Sequence, residues 1–337
     1  MQAAAVHGHL LQRLCAEAFA ERAGGSRERR TSPAARTADM LSTTLARRMA
    51  MKRGAWLAMV LWACAAGAFA AGKDEARKQA ESSMLVTGTV DIDAEGRVER
   101  HALDKPEALP PAVVELVDRH APGWRFEPVA VDGKPVKARA KMSLRLVATK
   151  LADDAFQLRI RSGVFGGDGT VAREQQVTSA QMRPPEYPPA AYWAGVQGTV
   201  YLVLRIGRDG KVEDSFAEQV NLTVVGTDKQ MRSGREALAG AAMKAARRWR
   251  FVPPRVGSEA DAEFWSVRVP VEFTLADSVG SRRGKYGQWD TYVPGPRQTA
   301  PWLLEELNAS DSPDSYAANG VHPVGEGLRL LTPLGDG

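Results

Sequence analysis

Histidine, cysteine and clustered arginine are the side chains that would carry metal binding, nucleophilic catalysis or phosphate recognition. Their spacing in this 337-residue chain argues against each of those uses. Beyond the first 70 residues the histidines are His101, His120 and His322, with no HExxH and a single carboxylate at i,i+4 (Glu326 after His322), so no zinc site is expected. The two cysteines, Cys15 and Cys64, both precede residue 71, which leaves the body without disulfide, thiolate zinc site or cysteine nucleophile. The glycine-rich "GVFGGDGT" (163–170) lacks the Lys-Ser/Thr that would hold phosphate and Mg²⁺, and it reads as a turn. No Gly-x-Ser-x-Gly or paired-acid motif is present. Arg247, Arg248 and Arg250 are either a phosphate or nucleic-acid patch or the solvated end of a helix whose dipole they complement; the second reading is the one adopted. The chain is read as non-enzymatic, without cofactor or metal.

Charge supports that reading. The net charge of +5 is concentrated at the start, where residues 1–50 carry eight arginines against four acidic residues. From Ala71 onward 35 basic residues face 36 acidic ones, so the body has no electropositive footprint for a nucleic acid.

Residues 51–70, "MKRGAWLAMVLWACAAGAFA", have a basic start, an apolar run and a small-x-small end at Ala68-Phe69-Ala70. These are the parts of a secretory signal cleaved after Ala70. The same run is at the lower length limit for an uncleaved membrane anchor, and Leu61-Trp62-Ala63-Cys64 resembles a lipoprotein box; both alternatives stay open. Residues 1–50 are read as a mis-assigned or disordered leader, and the body as exported to a periplasm.

The elements come from a repeat. "APGWRFEP" (121–128) and "ARRWRFVPP" (246–254) share a Trp-Arg-Phe-x-Pro core. Ahead of the second, Val200, Leu202, Leu204 and Ile206 alternate as a strand from Gly198 and turn at Asp209-Gly210. Leu238, Ala241, Ala242, Ala245 and Trp249 then fall at helical spacing, and Val267, Val269, Val271, Phe273 and Leu275 alternate as a third strand. Upstream, Val86, Val90 and Ile92 precede a turn at Gly96, Val113, Leu116 and Val117 precede Trp124 and Phe126, and Met142, Leu144 and Leu146 alternate beyond. The expected fold is therefore α+β, with two tandem strand–strand–helix–strand units (84–148 and 184–276), each a small antiparallel sheet covered by a helix. Trp-Arg-Phe-x-Pro (Trp249, Arg250, Phe251, Pro253, after Arg248) is expected where each helix stops, the Trp covering the helix–sheet seam and the Pro forbidding continuation. The second unit carries an eleven-residue insertion around "VVGTDKQMRSG" and a lead-in, "PPEYPPAAYWAGVQG", read as a short helix stopped at Gly195. Residues 149–183 are a linker or extra hairpin, and 277–337 an irregular tail, partly disordered or draped over the body.

"PEYPPAAYWAGVQGTVYLVLRIGRDGKVED … AAMKAARRWRFVPP … VRVPVEFTL" resembles the C-terminal domain of TonB-type energy transducers, over about 90 residues. The resemblance implies a periplasmic domain that takes up the N-terminal peptide of outer-membrane TonB-dependent transporters as an added strand beside its last strand. It places the receiving edge at Ser266–Leu275, with Ser266, Val267, Arg268, Val269, Val271 and Phe273 as partner-binding residues and Tyr187 and Pro188 beside them. Tyr187 and Trp193 are either part of that surface or core aromatics. Pro270, which has no N–H, fits an edge strand. Residues 54–71 lack the Ser/His pair with which family transducers face an inner-membrane motor, and no Pro-rich spacer joins Ala71 to Met84. Motor partners are thus expected only if the 51–70 segment is an anchor. The rival expectation is an envelope scaffold whose units pair edge to edge, with each other or with another copy.

Overall fold

Alternating apolar strands cannot bury one face alone, and here each hairpin lays that face on a helix. The computed structural model of the chain describes residues 80–151, 155–167, 173–275, 286–303, 312–316, 320–325 and 327–335. The 1–50 leader, the 51–70 segment with its cleavage and anchor readings, both cysteines and 168–172 lie outside the described residues. Among the described residues no helix is long and apolar enough to cross a membrane.

The first sheet begins with β1 (Glu81–Ile92) and β2 (Val98–Leu103), which form a hairpin. Helix α1 (Pro111–His120) follows, and β3 (Ala138–Lys150) then pairs along the other side of β1. Met84, Val86, Val90, Ile92, Met142, Leu144 and Leu146 bury one face of this sheet against Val113, Leu116 and Val117 of α1. The doubtful 149–183 stretch contains a long strand, β4 (Phe156–Gly167), antiparallel to β3, and a short one, β5 (Thr178–Gln181).

The same order of elements follows from residue 189. Helix α2 (Pro189–Trp193) leads into the hairpin β6 (Gly198–Gly207) and β7 (Val212–Leu222). Then come α3 (Asp228–Ala246), β8 (Arg250–Val252) and β9 (Phe264–Phe273), the last antiparallel to β6 along its whole length. Val200, Leu202, Leu204 and Ile206 pack with Val267, Val269, Val271 and Phe273 against Leu238, Ala242 and Ala246 of α3. The expected insertion is mostly helix. Thr227 caps α3 by accepting from the Gln230 N–H while Gln230 accepts from the Thr227 N–H, a reciprocal box that starts the helix inside "VVGTDKQMRSG".

The Trp-Arg-Phe segments do something other than end helices. α3 stops at Ala246 and α1 at His120, so neither Pro253 nor Pro128 terminates a helix. The segments are extended because the Phe amide must reach a hairpin turn: Phe126 N–H donates to the Gly96 carbonyl and Phe251 N–H to the Gly210 carbonyl, both at 2.8 Å. Gly96 (φ 78°) and Gly210 (φ 74°) are left-handed, and a Cβ on either would lie 2.0–2.1 Å from the Phe carbonyl oxygen. In both segments the arginine turns back, Arg125 Nη1 to the Trp124 carbonyl and Arg250 Nη1 to the Trp249 carbonyl, each at 2.8 Å. Both Trp rings are buried in their cores.

The tail is an ordered part of the body where it is described. β10 (Asp290–Tyr292) pairs with the start of β1, and β11 (His322–Pro323) with β9. The two sheets, ordered β10-β1-β3-β4 (β2 also on β1) and β11-β9-β6-β7, are separate, so edge-to-edge pairing of the two units with each other is corrected. Between the sheets sit Asp314 and Ser315, both fully buried. Arg145 Nε of β3 donates to the Asp314 carbonyl at 2.8 Å and Ser143 Oγ to the Ser315 carbonyl at 2.6 Å.

Gly210→Ala is expected to lower unfolding free energy by about 2 kcal/mol or more, since it adds left-handed strain to a steric clash. Gly133→Ala, at φ 74° with open space around it, should cost only about 1 kcal/mol. Urea unfolding of the two variants tests the order; equal costs would remove the Phe251 contact from the argument.

Candidate functional site

The outer edge of β9 is the surface that the sequence nominated, and the chain's own tail already holds part of it. Val267 lies opposite Pro323 and Arg268 opposite His322, and Val324 N–H donates to the Ser266 carbonyl at 2.9 Å. In a strand the N–H and C=O of one residue point the same way and alternate along the chain. Ser266, Arg268, Pro270 and Glu272 therefore present their backbone groups outward, and Val267, Val269, Val271 and Phe273 present theirs to β6. The missing N–H of Pro270 thus falls on the outer side, where no β6 bond is lost. Among the described residues no strand lies beside Pro270–Phe273 on that side.

These facts correct the expected partner residues. Val267, Val269, Val271 and Phe273 are buried under α3 and direct both side chain and backbone inward. Ser266 has its carbonyl taken by Val324. Arg268 is 1% exposed, its guanidinium donating to Glu218 at 2.6 and 3.2 Å and to the Tyr316 hydroxyl at 3.1 Å. Glu218 is equally buried, so this pair is internal and offers a partner nothing. Glu272 was not anticipated, although strict alternation from Pro270 designates it; it is exposed. Glu218 had no local signal, being 50 residues from its arginine.

The lead-in forms the open end of this edge. Pro188 and Pro189 start α2, and left-handed Gly195 (φ 66°) ends it, its N–H donating to the Tyr192 carbonyl. Tyr187 packs edge-on to Phe273, centroids 5.4 Å apart, and its hydroxyl donates to the Val196 carbonyl. Burial raises the Tyr187 phenol above the ordinary range, which keeps it a donor. The rings continue through Tyr192 (5.8 Å from Tyr187) to Trp193 (5.4 Å further). Trp193 is 84% exposed and Tyr192 48%, so the core reading of Trp193 is overturned: on a five-residue helix, burying Ala191 turns its neighbours outward. A groove of about 760 Å³ runs between Arg183–Pro189 and the Glu236–Arg248 face of α3. Across the sheet, burial pushes the Tyr201 phenol up to about 12, so it too stays neutral.

His101 pairs with Asp118 at 2.8 Å, and among the described residues no cluster of His, Cys, Asp or Glu could hold a metal ion. The exposed backbone left on this stretch is that of Glu272, beside the aromatic row, while Pro270 itself is buried.

Removing one partner of the buried pair should be costly. Arg268→Met is expected to destabilise by about 3–5 kcal/mol, because Glu218 is left charged and buried, whereas Arg268→Met with Glu218→Leu should recover most of that loss. Thermal or urea unfolding of the three proteins decides; a double variant as unstable as the single one would contradict the account.

Known proteins match part of the chain. Protein TonB of Xanthomonas campestris pv. campestris, in two strains, is 40% identical over 99 residues, 29% of this chain and 38% of that protein. Protein tonB2 of Pseudomonas aeruginosa is 38% identical over 91 residues, 27% of this chain and 28% of its own length. The chain thus spans well under half the length of these relatives. No protein-family model and no solved structure matches it. Identity of this order over about 99 residues makes that part of the chain similar to TonB proteins and supports the resemblance to their C-terminal domain.

Proposed function

We propose that this is an exported, non-catalytic TonB-like binding protein that acts in TonB-dependent transport, taking up an extended N-terminal peptide of an outer-membrane transporter as an added strand. The observation that carries the reading is the juxtaposition at the end of β9: an edge with no described strand beside Pro270–Phe273, adjoining the Tyr187 ring on Phe273. An extended peptide there gains rungs from the Pro270 carbonyl and Glu272, while an apolar residue of the peptide covers Tyr187 or Tyr192. The site is shorter than Ser266–Leu275, since the tail holds Ser266–Arg268.

We read the two strand–strand–helix–strand segments as diverged copies of one unit. The matched glycine–Phe amide bonds and the matched Arg–Trp carbonyl bonds support this. The working location is the periplasm, with release after Ala70; inner-membrane motor partners enter only if 51–70 remains as an anchor.

Titration of the labelled chain with synthetic peptides from transporter N-termini should shift the amides of Glu272 and Thr274 and the side-chain signals of Tyr187. Shifts absent from all of these at millimolar peptide would end the strand-addition reading. Glu272→Pro should leave the fold intact, since that N–H faces outward, and should weaken the peptide about tenfold by removing one rung. Tyr187→Ala should weaken it by a similar factor through lost ring contact, about 1 kcal/mol.

A further inference from the structure

We infer that residues 320–325 form a latch over the β9 edge, held in place by an anchor at 328–334 that supplies the first unit with the strand it lacks. The inference rests on the strand-addition reading for what the latch regulates, and on independent geometry for its existence.

The anchor is recognised by register. In the second unit β5 runs antiparallel to β8, Phe251 opposite Ser179, and four residues on the Arg183 carbonyl accepts the Trp249 indole N–H at 2.8 Å. In the first unit Phe126 lies opposite Leu330, also antiparallel, and four residues on the Leu334 carbonyl accepts the Trp124 indole N–H at 3.0 Å. Glu127 N–H to the Arg329 carbonyl (2.9 Å) and Leu331 N–H to the Arg125 carbonyl (2.8 Å) complete the ribbon. The C-terminal segment therefore occupies for Trp124 the place that the lead-in 178–183 occupies for Trp249. It is buried at Leu334, closes the first core and does not leave without exposing it.

The latch has none of this depth. It pairs two residues with β9, Pro323 with Val267 and His322 with Arg268, and adds one further bond, Val324 N–H to the Ser266 carbonyl. Beside it the Ser266 hydroxyl and the Trp302 indole N–H are buried and make no hydrogen bond among the described residues. Trp302 packs with Val324 in the small cluster around Val203. A closed latch leaves these two groups unsatisfied, and an open one returns them to water. The segment is pinned on one side by buried Asp314 and Ser315 and on the other by the Trp124 anchor. Once displaced it stays tethered at high effective concentration and recloses when the edge is vacated. It is an internal competitor for the Ser266–Arg268 half of the edge, the half that an incoming strand needs to extend past Glu272.

Amide hydrogen exchange on the full chain tests the latch without any ligand. The Val324 amide should exchange roughly 100-fold faster than those of Glu127 and Leu331, the anchor amides. Equal protection would make 320–325 a permanent strand and overturn the proposal. Val324→Pro, which deletes the bond to Ser266, should then bind a synthetic transporter N-terminal peptide about tenfold more tightly than the parent chain. Binding to both with equal affinity overturns the competitor role. Binding to neither, with fast Val324 exchange, counts against the strand-addition reading and leaves the latch standing.

Discussion

The fold depends on a five-residue peptide whose own regular structure is one 3-10 turn, Pro313–Ser315. Residues 312–316 lie between two sheets whose inner faces are each satisfied by a helix and whose outer faces mix polar and apolar groups. Asp314 and Ser315 give their carbonyls to Arg145 and Ser143 on one sheet, the Asp314 carboxylate accepts from Tyr292, and Tyr316 accepts from Arg268 on the other. Buried backbone needs a partner for every polar group; the first sheet supplies it for Asp314 and Ser315, and the second sheet meets the peptide at the Tyr316 hydroxyl. That requirement turns two small units, each marginal in core size, into one body.

The same arrangement explains why Arg268 is no longer a surface residue. On an isolated β9 it would face solvent beside the edge. With the tail in place it is enclosed, and a charge so enclosed persists only with a carboxylate in reach, which Glu218 provides at 2.6 Å. The tail thus encloses this face of the sheet and leaves the end near Tyr187, Tyr192 and Trp193 as the part of the edge on which the proposed recognition would rest.

Local pattern made much of this legible. Strand alternation gave the inward-facing residues of β6 and β9, Gly96 and Gly210 marked the turns of the two hairpins, and the doubled Trp-Arg-Phe pointed to two equivalent joints. It misassigned the joint's purpose, because a proline after a tryptophan looks like a helix stop whether or not an amide two residues earlier is reaching for a turn carbonyl. The start of α3 was written in Thr227 and Gln230 but masked by the mismatch in length between the two units. The contacts that decide the site were out of reach for a different reason. Trp124 and Leu334 are 210 residues apart and Arg268 and Glu218 50 apart, and no periodicity within a segment encodes such pairs. Trp193 shows the limit on short elements: on one turn and a half of helix, a single buried alanine settles which aromatics meet water.

The number of available rungs argues for an edge that changes length. With the tail in place an added strand finds three backbone groups, the Pro270 carbonyl and the Glu272 N–H and carbonyl, each worth a net of about 0.5–1.5 kcal/mol. Association itself costs at least about 4 kcal/mol. Three such bonds about break even, and the near-neutral body adds no long-range attraction, so a closed edge holds a peptide only as firmly as Tyr187 and its neighbours can grip one side chain. Freeing Ser266 and Arg268 roughly doubles the rungs, although each of them is first taken from the latch. A partner that first touches the aromatic end and then zips toward Ser266 would gain each new rung by displacing a latch rung of similar strength, so the exchange is nearly isoenergetic and reversible. Selectivity then resides in the first contact with the aromatic row, and the tail sets how far the strand proceeds.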